Sequence, residues 1–194
     1  FMRFTEPQDV IQMATFGSTK IASEFVHIRI GGDLALFKGM MKVMFEREAQ
    51  GETIIDHDFI ARHTAGFEAV REEVLTHPWS EIVSVSGVSE EQIRRNAEIY
   101  MRSNATMICY GMGLTQPRRA TQNVQQMANL LLLRGNIGKP GAGIAPIRGH
   151  SSVQGDRTVG ITEKPTQALV DAIRQRYGFE FPLTHGHDAV VIAD

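Results

Sequence analysis

The 194-residue sequence predicts an α/β fold in which helices flank a Rossmann-like parallel sheet. Two short apolar segments with the residue pattern of strands, 24–30 and 105–110, are each followed by a glycine turn and then by apolar residues at helical spacing. Further helical segments separate these two strand–turn–helix units. This order is typical of a layer of parallel strands covered by helices.

The first unit starts with residues 24–30, whose apolar and polar side chains alternate as they do in a strand. Gly31 and Gly32 end this predicted strand, and Asp33 is the expected N-cap of a helix that runs to about Glu48. Five apolar residues at helical spacing form the predicted core face of that helix: Phe37, Met40, Met41, Met44 and Phe45.

The middle of the chain is predicted to be mostly helical. One short helix is expected to start at the N-cap Asp56 and a second to occupy residues 66–77, whereas residues 78–88 are expected to be extended or loop. A capping box at residues 89–92 opens a longer helix that ends near Arg102. Two further helices are predicted closer to the chain ends, near Val10–Ala14 and from about Pro165 to Tyr177.

The second unit starts with residues 105–110, a short apolar run that predicts a buried strand and ends in a Gly-x-Gly turn. Thr115 or Gln116 is expected to cap the next helix, with Pro117 in its first turn, where the missing N–H group costs nothing. That helix is predicted to end near Leu133, and its last turn is apolar on nearly all sides, which is typical of a buried helix.

A glycine-rich stretch follows, residues 134–158, with almost no large side chain. A loop of this length between two helices, expected to lack secondary structure of its own, is usually functional or disordered, and its isoleucines argue against disorder. Arg148 offers a rigid fork suited to a carboxylate or phosphate, and His150 can exchange a proton near neutral pH. We therefore expect this backbone to wrap a ligand.

Composition argues against several classes of protein. A formal net charge of −2 argues against general nucleic-acid binding, and the single cysteine, Cys109, excludes an internal disulfide or a cysteine-only metal site in this chain. No apolar run approaches the roughly 20 residues of a membrane span. The first residues, FMRFTEPQDV, do not have the pattern of a signal peptide or of a natural start, which suggests an internal fragment.

Both glycine turns have a purely structural interpretation beside the functional one. A Gly-x-Gly after a strand is often only a tight turn, and an aspartate at a helix start is usually only an N-cap. In the functional interpretation, glycine lets the backbone approach a ligand at the carboxyl end of a strand. Asp33 could then accept two hydrogen bonds from a guanine edge or from a ribose.

Four stretches of the sequence carry a resemblance to a known family: GGDLALFKGMMK (31–42), YGMGLTQ (110–116), NVQQMANLLLLRGNIGKPGAGIAPIRGH (123–150) and VQGDRTVGI (153–161). They resemble the molybdopterin oxidoreductases of the dimethyl sulfoxide reductase superfamily, in particular the alpha subunit of formate dehydrogenase. The resemblance spans roughly residues 4–161. It implies a fragment of a larger multidomain enzyme. Its two expected parts are a molybdopterin guanine dinucleotide-binding α/β domain, 1–161, and a C-terminal helical extension, 162–194.

The resemblance also implies a cofactor, bis(molybdopterin guanine dinucleotide) with molybdenum or tungsten. By position in the family's motifs, one set of residues is expected to line the pterin: Gly111, Met112, Gly113 and Gln116. A second set is expected at a guanosine end: Gly31, Gly32 and Asp33. Metal-ligating residues are not expected in this chain. The family's iron–sulfur cysteines and its metal-binding Cys or selenocysteine are absent, so an iron–sulfur cluster could come only from segments outside it.

Two catalytic residues are implied by the same motifs. Arg148 aligns with the arginine that orients formate beside the metal, and Gly149 follows it as a further cofactor-binding residue. His150 stands where well-known formate dehydrogenases carry glutamine. A histidine there keeps its hydrogen-bonding capacity, and the position leaves open a relative that acts on another small anion or in acid tolerance.

The expected function is therefore that of a cofactor-binding fragment of a cytoplasmic, formate dehydrogenase-like oxidoreductase, which oxidises formate to carbon dioxide by two electrons. The fragment alone is expected to be inactive. Its expected partners are a small anionic substrate, the remaining domains of the parent chain and an electron-transfer subunit, with no nucleic acid and no membrane span. The alternative is a stand-alone nucleotide-binding regulatory or interaction module without redox activity.

Overall fold

A computed structural model describes most of the chain: residues 2–150, 152–162, 164–182, 184 and 186–187. The chain divides into two compact units, Phe1–Ile147 and Arg148–Asp194, and each is described by itself. The domain boundary expected after residue 161 stays a prediction, because compactness alone does not define a cofactor-binding domain.

The first unit is mostly helical in its described part. Its helices are α1 (Val10–Thr15), α2 (Asp33–Ala49), α3 (His57–His63), α4 (Phe67–Thr76), α5 (Trp79–Ser86), α6 (Glu90–Arg102), α7 (Met112–Thr115) and α8 (Ala120–Leu132). Its strands are β1 (Arg3–Phe4), β2 (Thr19–Lys20), β3 (Met107–Tyr110) and β4 (Gly143–Pro146). β1 pairs with β2 in the antiparallel sense, and β3 pairs with β4 in the parallel sense. The predicted α/β class is confirmed as a helix-rich arrangement with a small parallel sheet.

The parallel pair joins the second predicted unit to the glycine-rich stretch. Met107 lies opposite Gly143 and Tyr110 opposite Pro146, so β3, α8 and β4 form a strand–helix–strand unit. The expectation that residues 134–158 lack secondary structure was wrong, because this stretch contains β4. A run of left-handed glycines between α8 and β4, such as Gly138 at φ 81°, turns the chain back toward β3.

The prediction that β3 is a buried strand was also wrong. Ile108 and Ile144 pack against the hydrophobic core, but Met107 and Cys109 are exposed. β3 is thus only partly covered, and a short apolar run cannot show in advance how much of a strand will be covered.

Residues 24–30 form an extended segment rather than a paired strand. Val26 and Ile28 pack against a small apolar cluster of Ile82, Val88 and Ile93. Ile30, which continues the predicted alternation, is exposed, so the alternation holds only in part. Within the described residues, however, no neighbouring strand supplies a ladder of hydrogen bonds to this segment. The predicted strand is therefore not formed here, because a strand requires a partner that alternation alone does not guarantee.

Residues 78–88, expected to be extended or loop, contain helix α5. Pro78 lies at its N-cap, and Gly87, at φ 71°, ends it in the left-handed conformation. Isoleucine, valine and serine are only moderate helix formers, which is why the segment did not have a helical pattern. Ile82 and Ser86 are nevertheless fully buried, and α5 packs against α2, so tertiary packing outweighs intrinsic propensity.

Helix α2 is the centre of the first unit and packs against α4, α5, α6 and α8. Its predicted core face is confirmed: Met41, Met44 and Phe45 are buried, and Phe37 and Met40 are partly buried against them. The short helix expected near Val10 and the helices expected from Asp56, over 66–77 and from the capping box at 89–92 are confirmed as α1, α3, α4 and α6.

Two lysines of α2 tie it to the C-terminal end of α4. Lys38 is 7% exposed and pairs with Glu73. Lys42 is 8% exposed, and its Nζ donates to the carbonyl oxygens of Leu75 and His77 at 2.6 and 2.7 Å. Buried charges are tolerated when each is hydrogen-bonded. These bonds hold the helix that carries the first glycine turn at its N-terminus.

A buried polar network anchors the start of the glycine-rich stretch. Asn136 is fully buried, and its Nδ2 donates to the hydroxyl of Tyr100 at 3.0 Å. That hydroxyl donates to the carbonyl of Leu130 at 2.7 Å, and the N–H of Thr106 donates to Asn136 Oδ1 at 3.3 Å. The network links α6, α8 and the entry to β3, so the chain leaves α8 in a defined direction.

The second unit contains two helices in its described part, α9 (Val153–Thr158) and α10 (Gln167–Tyr177). Thr166 caps α10 by accepting the N–H of Leu169 at 3.4 Å, and Val170 is buried. The helix expected from about Pro165 to Tyr177 is thereby confirmed. Across the described residues of both units, no helix is long and apolar enough to cross a membrane.

Candidate functional site

The two glycine turns that the sequence singled out line one cleft in the first unit. Gly31 and Asp33 come from the turn before α2, and Gly113 and Gln116 come from the segment after β3. The cleft has a volume of about 480 Å³. Four of the predicted cofactor-binding residues, from distant parts of the chain, are therefore brought together around one space.

The remaining lining residues were not predicted as site residues: Ile28, Arg29, Ile30 and Pro117. Three of them are apolar, whereas the lining residues Arg29 and Asp33 are oppositely charged. Apolar walls with a few placed polar groups are typical of a site for a small organic ligand. These residues directly flank the two glycine turns, and that proximity was the signal that could have identified them.

The first turn is closed by its own backbone. Gly31 has φ 78°, in the left-handed region, and the N–H of Gly32 donates to the carbonyl of Arg29 at 2.8 Å. The carbonyl of Gly32 accepts the N–H of Leu36 at 3.1 Å, so Gly32 is the N-cap of α2, without a side-chain cap. The expectation that Asp33 is the N-cap was therefore wrong. Asp33 is the first residue of the helix, and its carboxylate lies at the cleft.

Gly32 is buried because the turn packs directly against the end of α5. A Cβ atom at Gly32 would lie 2.9 Å from Ser86 Cα and 3.0 Å from the carbonyl oxygens of Arg29 and Val85. Real Cβ atoms do not approach backbone atoms this closely, so only glycine fits without a shift of α5 or of the turn.

Asp33 is half-buried, and burial raises the pKa of its carboxyl group above the ordinary value. A hydrogen bond to its own backbone N–H lowers the pKa, but by less than burial raises it. A carboxylate held in an unfavourable environment at the wall of a cleft is a feature of ligand-binding sites.

We expect Asp33→Asn to gain stability relative to the wild-type chain as pH rises. Between the ordinary aspartate pKa of about 3.9 and the raised pKa of Asp33, the folded wild type binds more protons than the unfolded chain, so its stability falls with rising pH. The asparagine variant lacks this titration. Urea unfolding of both proteins from acid to neutral pH measures the difference between their free energies of unfolding. The contributions of the other carboxyl groups are the same in both proteins and cancel in this difference. A difference that does not vary with pH would contradict the prediction.

The second turn leads into a short helix rather than directly into α8. Gly111 is the N-cap of α7 and is extended, and Gln116 is its C-cap, with its N–H donating to the carbonyl of Met112 at 2.8 Å. Pro117 lacks the N–H group that would continue α7. The expectation that Thr115 or Gln116 caps the next helix, with Pro117 in its first turn, was therefore wrong, since α8 starts at Ala120.

The segment around α7 is loosely covered. A Cβ at Gly113 would meet no atom within 4 Å, and Met112 is 60% exposed. Asn123 of α8, which is fully buried, holds this segment by donating from Nδ2 to the carbonyl of Leu114 at 3.0 Å. Asn123 was missed by the sequence analysis because a polar residue within a helix does not reveal a buried partner.

Three predicted residues belong to the second compact unit. Arg148 is half-buried, and Gly149 and His150 are exposed. Their expected roles beside a metal centre stay predictions. Among the residues that the structure describes, no group of three or more His, Cys, Asp or Glu side chains is arranged to hold a metal ion.

Comparison with known proteins yields one family model, molybdopterin oxidoreductase, which matches residues 3–187. "Protein YdeP" of Escherichia coli (strain K12) is 51% identical over 193 residues, which cover 97% of this chain and 25% of the relative. An uncharacterized oxidoreductase of Mycobacterium tuberculosis (strain H37Rv) is 42% identical over 190 residues, which cover 97% and 24%. Formate dehydrogenase H of Escherichia coli (strain K12) is 34% identical over 138 residues, which cover 71% and 19%.

The chain thus spans about a quarter of the length of the curated relatives that it matches over nearly all of its own length. Among solved structures, acetylene hydratase from Pelobacter acetylenicus matches with a TM-score of 0.56 and 21% sequence identity. The match covers 62% of this chain and 16% of that chain. This similarity concerns the fold alone.

Proposed function

The chain belongs to the molybdopterin oxidoreductase family, and from this we propose that it is the part of a larger oxidoreductase that holds a molybdopterin guanine dinucleotide cofactor. The observation that carries the proposal is the cleft lined by Gly31 and Asp33 together with Gly113 and Gln116. One set of residues was expected at the guanosine end and the other at the pterin. Because residues of both sets line one cleft, we propose that a single bound cofactor contacts both sets.

The residues of the cleft fit a guanine nucleotide. Ile28, Ile30 and Pro117 offer apolar contacts for a flat base. The ionised carboxylate of Asp33 can accept both N–H groups on the edge of a guanine, whereas adenine does not present two adjacent donors. The open space beside Gly113 gives the ligand room, and a side chain there would project into it.

Within this proposal, the bound cofactor supplies the metal centre at which a small substrate is oxidised by two electrons. Arg148 would bind the substrate carboxylate through its rigid guanidinium fork and keep the C–H bond in a fixed orientation. His150 would donate or accept a hydrogen bond at the same substrate. A formate-like anion is the proposed substrate, supported by the 34% identity to formate dehydrogenase H.

The proposal also concerns the rest of the enzyme and its electron-transfer partner. The remaining domains of a longer polypeptide would complete the cofactor site, and an electron-transfer subunit with iron–sulfur clusters would accept the electrons. We place the enzyme in the cytoplasm. The fragment without those domains would not catalyse the reaction.

Calorimetric titration of the 194-residue chain with GDP and ADP tests the proposed cleft. We expect GDP to bind and ADP to bind at least about tenfold more weakly, because losing a hydrogen bond to a charged group costs about 1.5–3 kcal/mol. Asp33→Asn should remove the preference for GDP. Asp58→Asn, an exposed residue of α3 outside the cleft, is the matched control and should leave it unchanged. Equal affinities for GDP and ADP in the wild type would contradict a guanosine site.

A further inference from the structure

We propose that Arg29 is the positioning residue of the cleft, because it fastens the first glycine turn to the C-terminal end of α5. This inference rests on the nucleotide-binding function proposed above. Residues 24–30 have no strand partner in the described part of the first unit, so the wall formed by Ile28, Arg29 and Ile30 needs another support.

That support comes from two hydrogen bonds made by one residue. The backbone N–H of Arg29 donates to the carbonyl of Ser86 at 2.9 Å, and its Nη1 donates to the carbonyl of Ser84 at 2.6 Å. Both carbonyls lie in the last turn of α5, where helical carbonyl groups have no partner within the helix. The partial negative charge at a helix C-terminus also favours a guanidinium there.

The Arg29 side chain lies flat across Gly87, the residue that ends α5. A Cβ at Gly87 would lie 2.6 Å from Arg29 Cγ and 3.1 Å from Cδ. Gly32 of the glycine turn also approaches the end of α5, where a Cβ atom at Gly32 would lie 2.9 Å from Ser86 Cα. The end of α5 thus contacts both the Arg29 stem and the glycine turn, at distances that only glycine at positions 87 and 32 permits.

This arrangement, which we call the α5 lock, connects the cleft wall to the core of the first unit. Ile82 of α5 is fully buried and packs with Ile93, so α5 itself cannot shift easily. A turn that is already held in its bound conformation loses less conformational freedom when a ligand binds. Without the lock, the turn would have to be ordered by the ligand, at a cost in affinity.

Arg29 also lines the cleft, so its removal alone could weaken binding through the loss of its charge. Gly87→Ala separates the two effects, because it displaces the Arg29 stem, keeps the charge and alters a residue outside the cleft lining. Gly66→Ala is the matched control. Gly66 has φ 79°, close to the 71° of Gly87, but a Cβ there would meet no atom within 4 Å.

The experiment measures GDP affinity by calorimetry, amide hydrogen exchange in the ligand-free chain and urea unfolding for Arg29→Met, Arg29→Lys, Gly87→Ala and Gly66→Ala. We expect Arg29→Met and Gly87→Ala to weaken GDP binding by about tenfold and to accelerate exchange at the N–H groups of Arg29 and Gly32. Arg29→Lys should recover part of the affinity. Gly66→Ala should show only the stability cost of its φ angle.

Two outcomes would overturn the proposal: GDP affinity retained in Gly87→Ala, or exchange at Arg29 and Gly32 unchanged in both Arg29→Met and Gly87→Ala. If the wild-type chain does not bind GDP, the proposed function fails at this cleft. In that case the hydrogen-exchange data still test whether the α5 lock holds the turn. Faster exchange in Arg29→Met and Gly87→Ala, but not in Gly66→Ala, supports it.

Discussion

Replacing Arg148 with alanine in a full-length polypeptide that carries this chain is expected to abolish formate-dependent dye reduction while leaving metal and pterin content unchanged. The guanidinium is proposed to orient the substrate carboxylate, and the loss of such a clamp costs roughly two orders of magnitude in rate or more. Anaerobic purification, metal and pterin analysis and the dye assay on both proteins measure the effect. Arg148→Lys should remain impaired, since a lysine lacks the planar fork.

Two further variants, His150→Gln and Arg118→Ala, are measured in the same assays. His150→Gln introduces the residue that the resemblance assigns to formate dehydrogenases and should keep or raise formate activity. Arg118→Ala removes an exposed arginine between α7 and α8 and should leave activity unchanged. Bound metal and pterin without formate activity in the wild type would indicate that the substrate is another small anion. Neither metal nor pterin, from cells that make the cofactor, would favour a nucleotide-binding module without redox activity.

Gly32→Ala is expected to reduce both the stability of the chain and its affinity for GDP. The added Cβ would lie 2.9 Å from Ser86 Cα and 3.0 Å from two carbonyl oxygens, all of them backbone atoms that cannot rotate away. Overpacking of this kind costs about 1–3 kcal/mol. The turn must also move away from α5, which displaces Gly31 and Asp33 at the cleft. Urea unfolding and GDP titration measure the two effects.

Gly113→Ala is the matched control for Gly32→Ala, because a Cβ at Gly113 would meet no atom within 4 Å. Its stability should change by less than about 1 kcal/mol, since alanine is the better helix former and nothing is overpacked. Its GDP affinity should still fall, because Gly113 lines the cleft proposed for the nucleotide. A Gly32→Ala protein with wild-type stability would contradict the close packing of the turn on α5.

The outcome of individual elements shows where local sequence signals suffice. Asp56 and the capping box at 89–92 predicted helix starts that are present, because a cap is a contact between residues a few positions apart. Helix α5 was missed because its residues have only moderate helix propensity and its stability comes from burial against α2. The predicted strand at 24–30 failed for the complementary reason, since its partner would have to come from elsewhere in the chain.

The candidate site was likewise predicted only where its signals are local in the sequence. The glycine turns before helices α2 and α7 are both visible in the sequence. At the first turn the structure requires glycine, because Gly31 is left-handed and Gly32 is closely packed. Neither pattern could reveal that Ile28, Ile30 and Pro117 form the apolar walls of a shared cleft. Arg29 had the pattern of an exposed strand residue, and only its bond to Ser84 indicates its role.

By itself, the sequence determined the α/β class, most of the helices, the two glycine turns and the molybdopterin oxidoreductase family. The class, the helices and the turns follow from residue types and from spacings of a few positions, which act locally. The family follows from the resemblance of four sequence stretches to its motifs. Only the tertiary structure decided that both turns line one cleft, that β4 pairs with β3 and that α5 supports the turn before α2. Those features depend on contacts between residues far apart in the chain. Such contacts stabilise the protein only once the long loops between the residues have closed, and that closure has an entropic cost.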